Sequence, residues 1–278
     1  MASEGLEKAL CSRIVVGTAH EDDMKRSVKE ASAFVNNLEL PPRPRHTRNA
    51  PSAASVDLFD VTKSQAMVVG SDIVSFIAGI APELRSRIVQ CSLLAQLAAN
   101  KKAPSRSEIR AWYEAYFDTL THVGWVVQER GFSEHKEAGD NFEAEKAILA
   151  IAETVLGPAA TALAIITSTL EAMKSMADGR WFTVFSRESQ SAKAARFQMT
   201  VAEPGVEGGA SISLMAFELV AKRDLTQVLF FKFNASEVTL RHASGRVTID
   251  GELLAAIGPA ISQKVSAYTQ SFIQELPI

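Results

Sequence analysis

With 278 residues, 47% of them hydrophobic, the chain can bury a large core in one domain or two closely joined ones without covalent staples. Its 29 basic and 32 acidic side chains leave a formal charge of −3, which excludes a global pull toward nucleic acid or anionic lipid and leaves only local patches. Two cysteines, Cys11 and Cys91, exclude a disulfide framework and fit a reducing compartment.

Glu4, Glu7, Lys8 and Arg13 interrupt the first twenty residues, and no basic start leads into an apolar run. No secretory signal is therefore expected, and the chain reads as cytoplasmic when made, with lysis or signal-independent secretion as routes of release. Residues 1–39 read as an N-terminal helical segment, since Val28, Ala31, Phe34, Val35 and Leu38 recur at helical spacing opposite Lys25, Arg26, Lys29 and Glu30. Residues 40–59 read as a linker or strap, because Pro41, Pro42, Pro44 and Pro51 remove amide donors and favour extended backbone. The alternative, a Pro41–x–x–Pro44 ligand for an aromatic groove, is the weaker reading because such tetrads are common.

Residues 60–179 read as helical throughout. The run Ala66–Ala81 carries one charge, Asp72, and stops at Pro82; Glu83–Asn100 follows with Leu84, Ile88, Cys91 and Leu94 on one stripe. Ser105–Arg130 starts with a serine cap and sets Trp112, Tyr116, Thr119 and Val123 in line. Phe142–Met176 contains the most apolar stretch, Ala147–Leu170, in which Glu153 is the one charged side chain. Pro158 cannot donate to the preceding turn and disfavours helix at Gly157, so a sharp kink or a helical hairpin is expected there.

After Gly179 the apolar period changes from 3.6 to 2. Residues 181–186, 195–203, 210–221, 226–234, 236–243 and 246–250 read as strands of an antiparallel meander, with turns at Glu203–Gly209, Lys222–Asp224 and Ala243–Gly245. The stretch 226–234 is apolar on both sides and reads as a central strand. A closing helix over Gly251–Leu276 presents Leu254, Ile257, Ile261, Val265, Tyr268 and Phe272, with an interruption at Gly258-Pro259. The fold class is α+β: an N-terminal helical layer, a C-terminal antiparallel sheet and a helix packed on it, with 180–278 forming one unit with the helical region.

Little in the chain carries chemistry. The five histidines lie at no metal-ligand spacing, so no metal and no cofactor are expected. His122 stands one turn from Asp118, a spacing a general base can use and a surface contact more often shows. Cys91 on an amphipathic helix reads as a small buried hydrophobe. Gly205, Gly208 and Gly209 with Glu203 and Glu207 form a loop of the wrong charge for phosphate. Lys193, Arg196, Lys222, Arg223 and Arg241, joined by Lys232 and Arg246, are candidates for a basic patch, against the plainer reading of charged strand edges.

The apolar candidates are Ile148, Ile151, Val155, Gly157, Pro158, Leu163, Ile166 and Leu170, together with Val74 and Ile77. As two arms the Gly157-Pro158 element is too short to cross a bilayer, and as one kinked helix it is long enough but only weakly apolar. It reads as a core helix, as a segment that inserts conditionally, or as an oligomer interface. The leading functional reading is a membrane-active or lipid-binding protein of toxin or virulence type, non-enzymatic, with membrane lipid or a membrane receptor as partner and no nucleic acid. A homo-oligomeric assembly protein is the second reading. The third is an enzyme with a dispersed site around His122, Asp118 and Glu129.

Overall fold

Ala66–Ala81 folds as a hairpin and not as the expected helix. Strands β1 (Gln65–Val69) and β2 (Asp72–Phe76) pair through the two-residue turn Gly70-Ser71. Gly70 takes φ +58°, where a Cβ would be strained and would collide with the Gln96 side chain. Met67, Val69, Val74 and Phe76 enter one core, while Ala66, Val68 and Ile73 enter another. Both faces are covered, so the hairpin lacks the polar alternation that marks a half-exposed strand.

The computed structural model describes residues 24–43, 58–136, 140–157, 160–176, 180–205, 209–225, 229–230, 232–276 and 278. Residues 24–37 form helix α1. After the β1–β2 hairpin come α2 (Pro82–Lys102), opened by its proline, and α3 (Ile109–His122). Short strands β3 (Trp125–Val127), β4 (Ser133–His135) and β5 (Asn141–Glu143) precede α4 (Ala144–Leu156) and α5 (Thr161–Ser175). Strands thus interrupt the stretch expected to be helical over 60–178.

Arg180–Ser189 is helix α6, where a strand was expected over 181–186. Its buried residues Trp181, Val184, Phe185 and Glu188 sit at i, i+3, i+4 and i+7, so a helical period underlies the apparent alternation. The expected pair 195–203 and 210–221 is present as β6 (Ala194–Pro204) and β7 (Ala210–Ala221). In the expected central strand 226–234, Lys232–Asn234 forms the short strand β8, which pairs with β5 in a small separate sheet. The predicted turn at Ala243–Gly245 lies inside one continuous strand, β9 (Val238–Ile249). Helix α7 (Gly251–Val265), capped by Asp250 accepting from the Leu253 amide at 2.9 Å, runs through Pro259. The short helix α8 (Thr269–Phe272) then leads into strand β10 (Ile273–Leu276), so the closing helix is shorter than expected.

The main sheet runs β10-β1-β2-β6-β7-β9-β3, with β4 also paired to β9. All pairs are antiparallel except β2 with β6. The N-terminal hairpin therefore joins the C-terminal meander in one sheet, and the class is α+β. One core joins the first face of the sheet to α1, α2, α3 and α7. The second core joins the other face to α4, α5 and α6.

Candidate functional site

The two helical layers are attached to the sheet by different forces. On the first face, directional hydrogen bonds cross the interface. Ser92 on α2 donates to Asp72 Oδ2 at 2.7 Å, and Thr200 on β6 donates to the same oxygen at 2.9 Å. Gln96, one turn after Ser92, donates to the Val69 carbonyl at 2.7 Å and accepts from the Ser71 amide at 2.8 Å. From α3, the Tyr113 hydroxyl lies 2.9 and 2.7 Å from the carbonyls of Phe197 and Phe217 and accepts from Gln198 at 3.1 Å. Arg85, fully buried, donates to the carbonyls of Lys63, Ile77 and Ile80. Breaking such a layer away orphans buried donors and acceptors.

Asp72 is the strained member. Its Oδ1 has no hydrogen-bond partner, and burial pushes the carboxyl up to about 6 against the opposing bonds from Ser92 and Thr200.

On the second face the contact is apolar. Ile148, Ile151, Ile166, Leu170 and Met173 are buried against the sheet residues Phe197, Met199, Met215 and Phe217. Among the described residues, no hydrogen bond or ion pair joins α4 or α5 to the main sheet. The ion pair Lys174–Glu145, at 2.7 Å, ties the two helices to each other. Of the kink and the hairpin expected there, the hairpin is formed: α4 ends at Gly157, whose φ of +91° suits glycine, and α5 begins at Thr161. Pro158 lies outside the described residues.

On the hairpin's outer side the exposed charges are Glu153 and, toward the end away from Gly157, Lys146, Glu171 and Lys174. Nearer the bend, Ala150, Thr154, Ala164 and Ser168 are exposed beside Glu153. The hydroxyls of Thr154, Thr167 and Thr169 donate to carbonyls of their own helix at 2.9, 3.0 and 2.7 Å, so they need no partner outside it.

The structure gathers Ile148, Ile151, Val155, Leu163, Ile166, Leu170 and Ile77 in or against the second core, with Val155, Leu163 and Ile77 half-buried. Val74 belongs to the first core and does not join them. The basic candidates do not form one free patch. Arg196 is buried, with its guanidinium 4.4 Å from the Trp112 ring and a bond of 3.0 Å to Asn100, and burial pushes it down to about 10. Arg223 pairs with Glu237 at 2.9 Å, and Arg241 lies 3.8 Å from both Glu134 and Glu218. Lys193 and Lys222 are exposed where β6 begins and β7 ends.

His122 Nδ1 lies 2.8 Å from the Asp118 carbonyl and 3.6 Å from its carboxylate, and the ring stacks on Phe34 at 4.1 Å. This is a surface contact. Glu129 lies instead beside Gly245 of β9. Cys91 is fully buried, and desolvation pushes its thiol up to about 12. In a Cys11→Ser background the native protein is expected to leave a thiol reagent unreacted and to react once unfolded. Stoichiometric labelling of the native state would show that α2 opens.

Sequence reasoning missed the polar network on the first face. A signal was present in Arg196, Gln198 and Thr200, three polar residues at alternate positions of β6. Asp72, the partner of Thr200, and Ser71, which donates to Gln198, were hidden in a segment read as helix.

No family model and no curated protein matches the chain. Solved structures with a similar run of the chain include the Evf virulence factor, at 10% identity and a TM-score of 0.37 over 88% of this chain and 90% of that one. The activated Cyt2Ba monomer from Bacillus thuringiensis subsp. israelensis is similar at 14% identity and a TM-score of 0.34, over 63% and 95%. A delta-endotoxin is similar at 14% identity and a TM-score of 0.40, over 83% and 97%. The likeness is loose and reaches only the outline of the fold.

Proposed function

We propose that the protein is membrane-active and non-enzymatic, and that its α4–α5 hairpin leaves the sheet to lie with its apolar side in the acyl boundary of a target membrane. Damage to a foreign bilayer would make it a protein of toxin or virulence type. The observation that carries this reading is the one-sided attachment: among the described residues α4 and α5 meet the sheet through apolar contact alone, whereas α2 and α3 are hydrogen-bonded to it. Apolar contact is non-directional, so each buried Ile or Leu, worth about 1.5–3 kcal/mol, is equally well buried in acyl chains. Glu153 is the one charge between Ala147 and Leu170, and the self-bonded threonines lower the cost of leaving water.

Helix length sets the mode of engagement. At 13 and 15 residues, α4 and α5 measure about 20 and 22 Å, short of the ~30 Å hydrocarbon layer. Among the described residues no helix is long and apolar enough to cross a membrane. The hairpin is therefore read as interfacial.

The test is release of an entrapped dye from lipid vesicles at pH 5 and 7.4. A disulfide engineered between α5 and β2 is expected to abolish release while leaving vesicle binding in place, and reduction is expected to restore release. Vesicles that neither bind the protein nor leak, in neutral and anionic compositions alike, overturn the reading. A stable oligomer formed without lipid would then favour the assembly role.

A further inference from the structure

The α4–α5 hairpin is bonded at one end and only packed at the other. Its chain enters from β5, which pairs with β8 from Asn141–Asn234 to Glu143–Lys232. The Asp140 carbonyl accepts from the Ala235 amide at 2.8 Å, and β8 continues through the turn Ala235–Glu237 straight into β9 of the main sheet. Glu143, the residue before α4, pairs with Lys232 of β8 at 3.3 Å and with Lys146 at 3.0 Å.

The chain leaves into α6, and α6 is fastened. The Trp181 indole donates to the Met176 carbonyl at 2.9 Å, which holds the end of α5. Arg187 donates to the Ser271 carbonyl at 2.8 Å, and its guanidinium lies 5.2 Å from the Phe272 ring, so α6 is joined to the chain just ahead of β10. Arg106, between α2 and α3, donates to the Gln190 carbonyl at 3.3 Å. α6 thus shares the apolar core of α4 and α5 and is hydrogen-bonded to other elements besides.

Nothing comparable holds the Gly157 end. From Ala147 to Met173, among the described residues, the side-chain hydrogen bonds are those of Thr154, Thr167 and Thr169 to their own helices, and there is no ion pair. Charge follows the same gradient: no charged residue lies between Glu153 and Glu171, whereas Glu143, Glu145, Lys146 and Lys174 gather at the base. Val155, Leu156 and Leu163 stand half-buried at the free end. Exposed ion pairs are individually weak, so the β5–β8 ladder and the bonds from Trp181 and Arg187 to backbone carbonyls decide which end yields. Freeing the base breaks them. Freeing the Gly157 end breaks apolar contact, which acyl chains replace.

We propose that the hairpin is a paddle hinged at its base: Glu143 and Met176 stay beside β8 and α6, while the Gly157 end swings out and meets lipid acyl chains first, led by Val155, Leu156 and Leu163. This rests on the membrane-active reading for its partner, and it adds which end moves and which residues lead.

The experiment places spin labels in pairs on the full chain in a Cys11→Ser background. One label is always at Ser262→Cys on α7, and the other is at Thr161→Cys, Ser175→Cys or Thr183→Cys. All four positions are exposed, and unchanged melting curves confirm the fold. Distances are read by pulsed electron resonance in buffer and on mixed phosphatidylcholine and phosphatidylglycerol vesicles at pH 5 and 7.4, beside dye release by the same samples. The Thr161 distance is expected to lengthen on vesicles by on the order of 10 Å, as a swing of about 30° on a helix of the length of α5 gives. The Ser175 and Thr183 distances are expected to hold. The Thr161 label is also expected to lose contact with a relaxing agent dissolved in water, and the other two to keep it.

Release with a lengthened Thr183 distance means that the whole second layer leaves, and release with Ser175 displaced as far as Thr161 means that the hairpin leaves flat. Either result, or release with all three distances unchanged, overturns the paddle and leaves the membrane-active reading standing. A lengthened Thr161 distance alone, without release, supports the paddle and overturns the damage assigned to it. A protein that neither binds the vesicles nor leaks them overturns both.

Discussion

Ile166→Asp is expected to lower the unfolding free energy by roughly 3 kcal/mol or more, measured as a fall in the urea midpoint. Ile166 is fully buried on α5 and belongs to the core that includes Ile148, Leu170 and Met173. A carboxylate there loses the apolar burial of isoleucine and meets no cation, since Lys174, the basic residue near the end of the helix, is exposed and already paired with Glu145. Ser168→Asp, on the exposed side of the same helix, is expected to change stability by no more than about 0.5 kcal/mol. Equal midpoints for Ile166→Asp and the wild type would show that the hairpin's underside is not core. If the midpoint holds while a hydrophobic dye begins to bind the native state, the hairpin opens independently of the sheet, the motion the proposed function requires.

Sequence periodicity located the elements that have one wet side. α3 and the β6–β7 pair were legible for that reason: Trp112 and Tyr116 line one side of α3 while Arg110, Glu114 and Asp118 line the other. The hairpin at Gly157 was legible from the chemistry of glycine followed by proline. Where an element is covered on both faces, periodicity is silent. β1 and β2 are such a case, and the Gly70-Ser71 turn was the remaining sign that the apolar run Ala66–Ala81 held two strands. The second limit is pairing. Arg196 and Arg241 look like members of a basic patch until the register places Glu218 between them. The apolar candidates on 147–170 were read as one group because their stretch carries one charge, Glu153, which needs only the local sequence. That, among the described residues, no hydrogen bond joins the hairpin to the sheet is a property of the opposite sheet face, and no local pattern carries it.

Acid is expected to tighten the first face of the sheet and alkali to loosen it, through Asp72. The group's pKa is raised from 3.8 to about 6 in the fold, so the folded state disfavours its ionised form. The stability this gives is complete below pH ~4 and is lost as pH rises through ~6, and a displacement of this size corresponds to about 3 kcal/mol. The physical cause is burial: Ser92 and Thr200 satisfy Oδ2, Oδ1 has no partner, and the groups nearby on α3, Tyr113 and Tyr116, bring no cation. Asp72→Asn keeps an oxygen for Ser92 and Thr200 and removes the ionisation. The urea-derived stability of the wild type relative to Asp72→Asn is therefore expected to fall by roughly 2–3 kcal/mol between pH 4 and pH 7.5, with most of the change between pH ~4 and ~6 and little above that. Parallel curves for the two proteins would mean that the Asp72 carboxyl is not desolvated as described. The sign also bears on the proposed function: protonation of Asp72 at acid pH favours the packing of α2 on the sheet, while among the described residues the hairpin side has no hydrogen bond to the sheet to break.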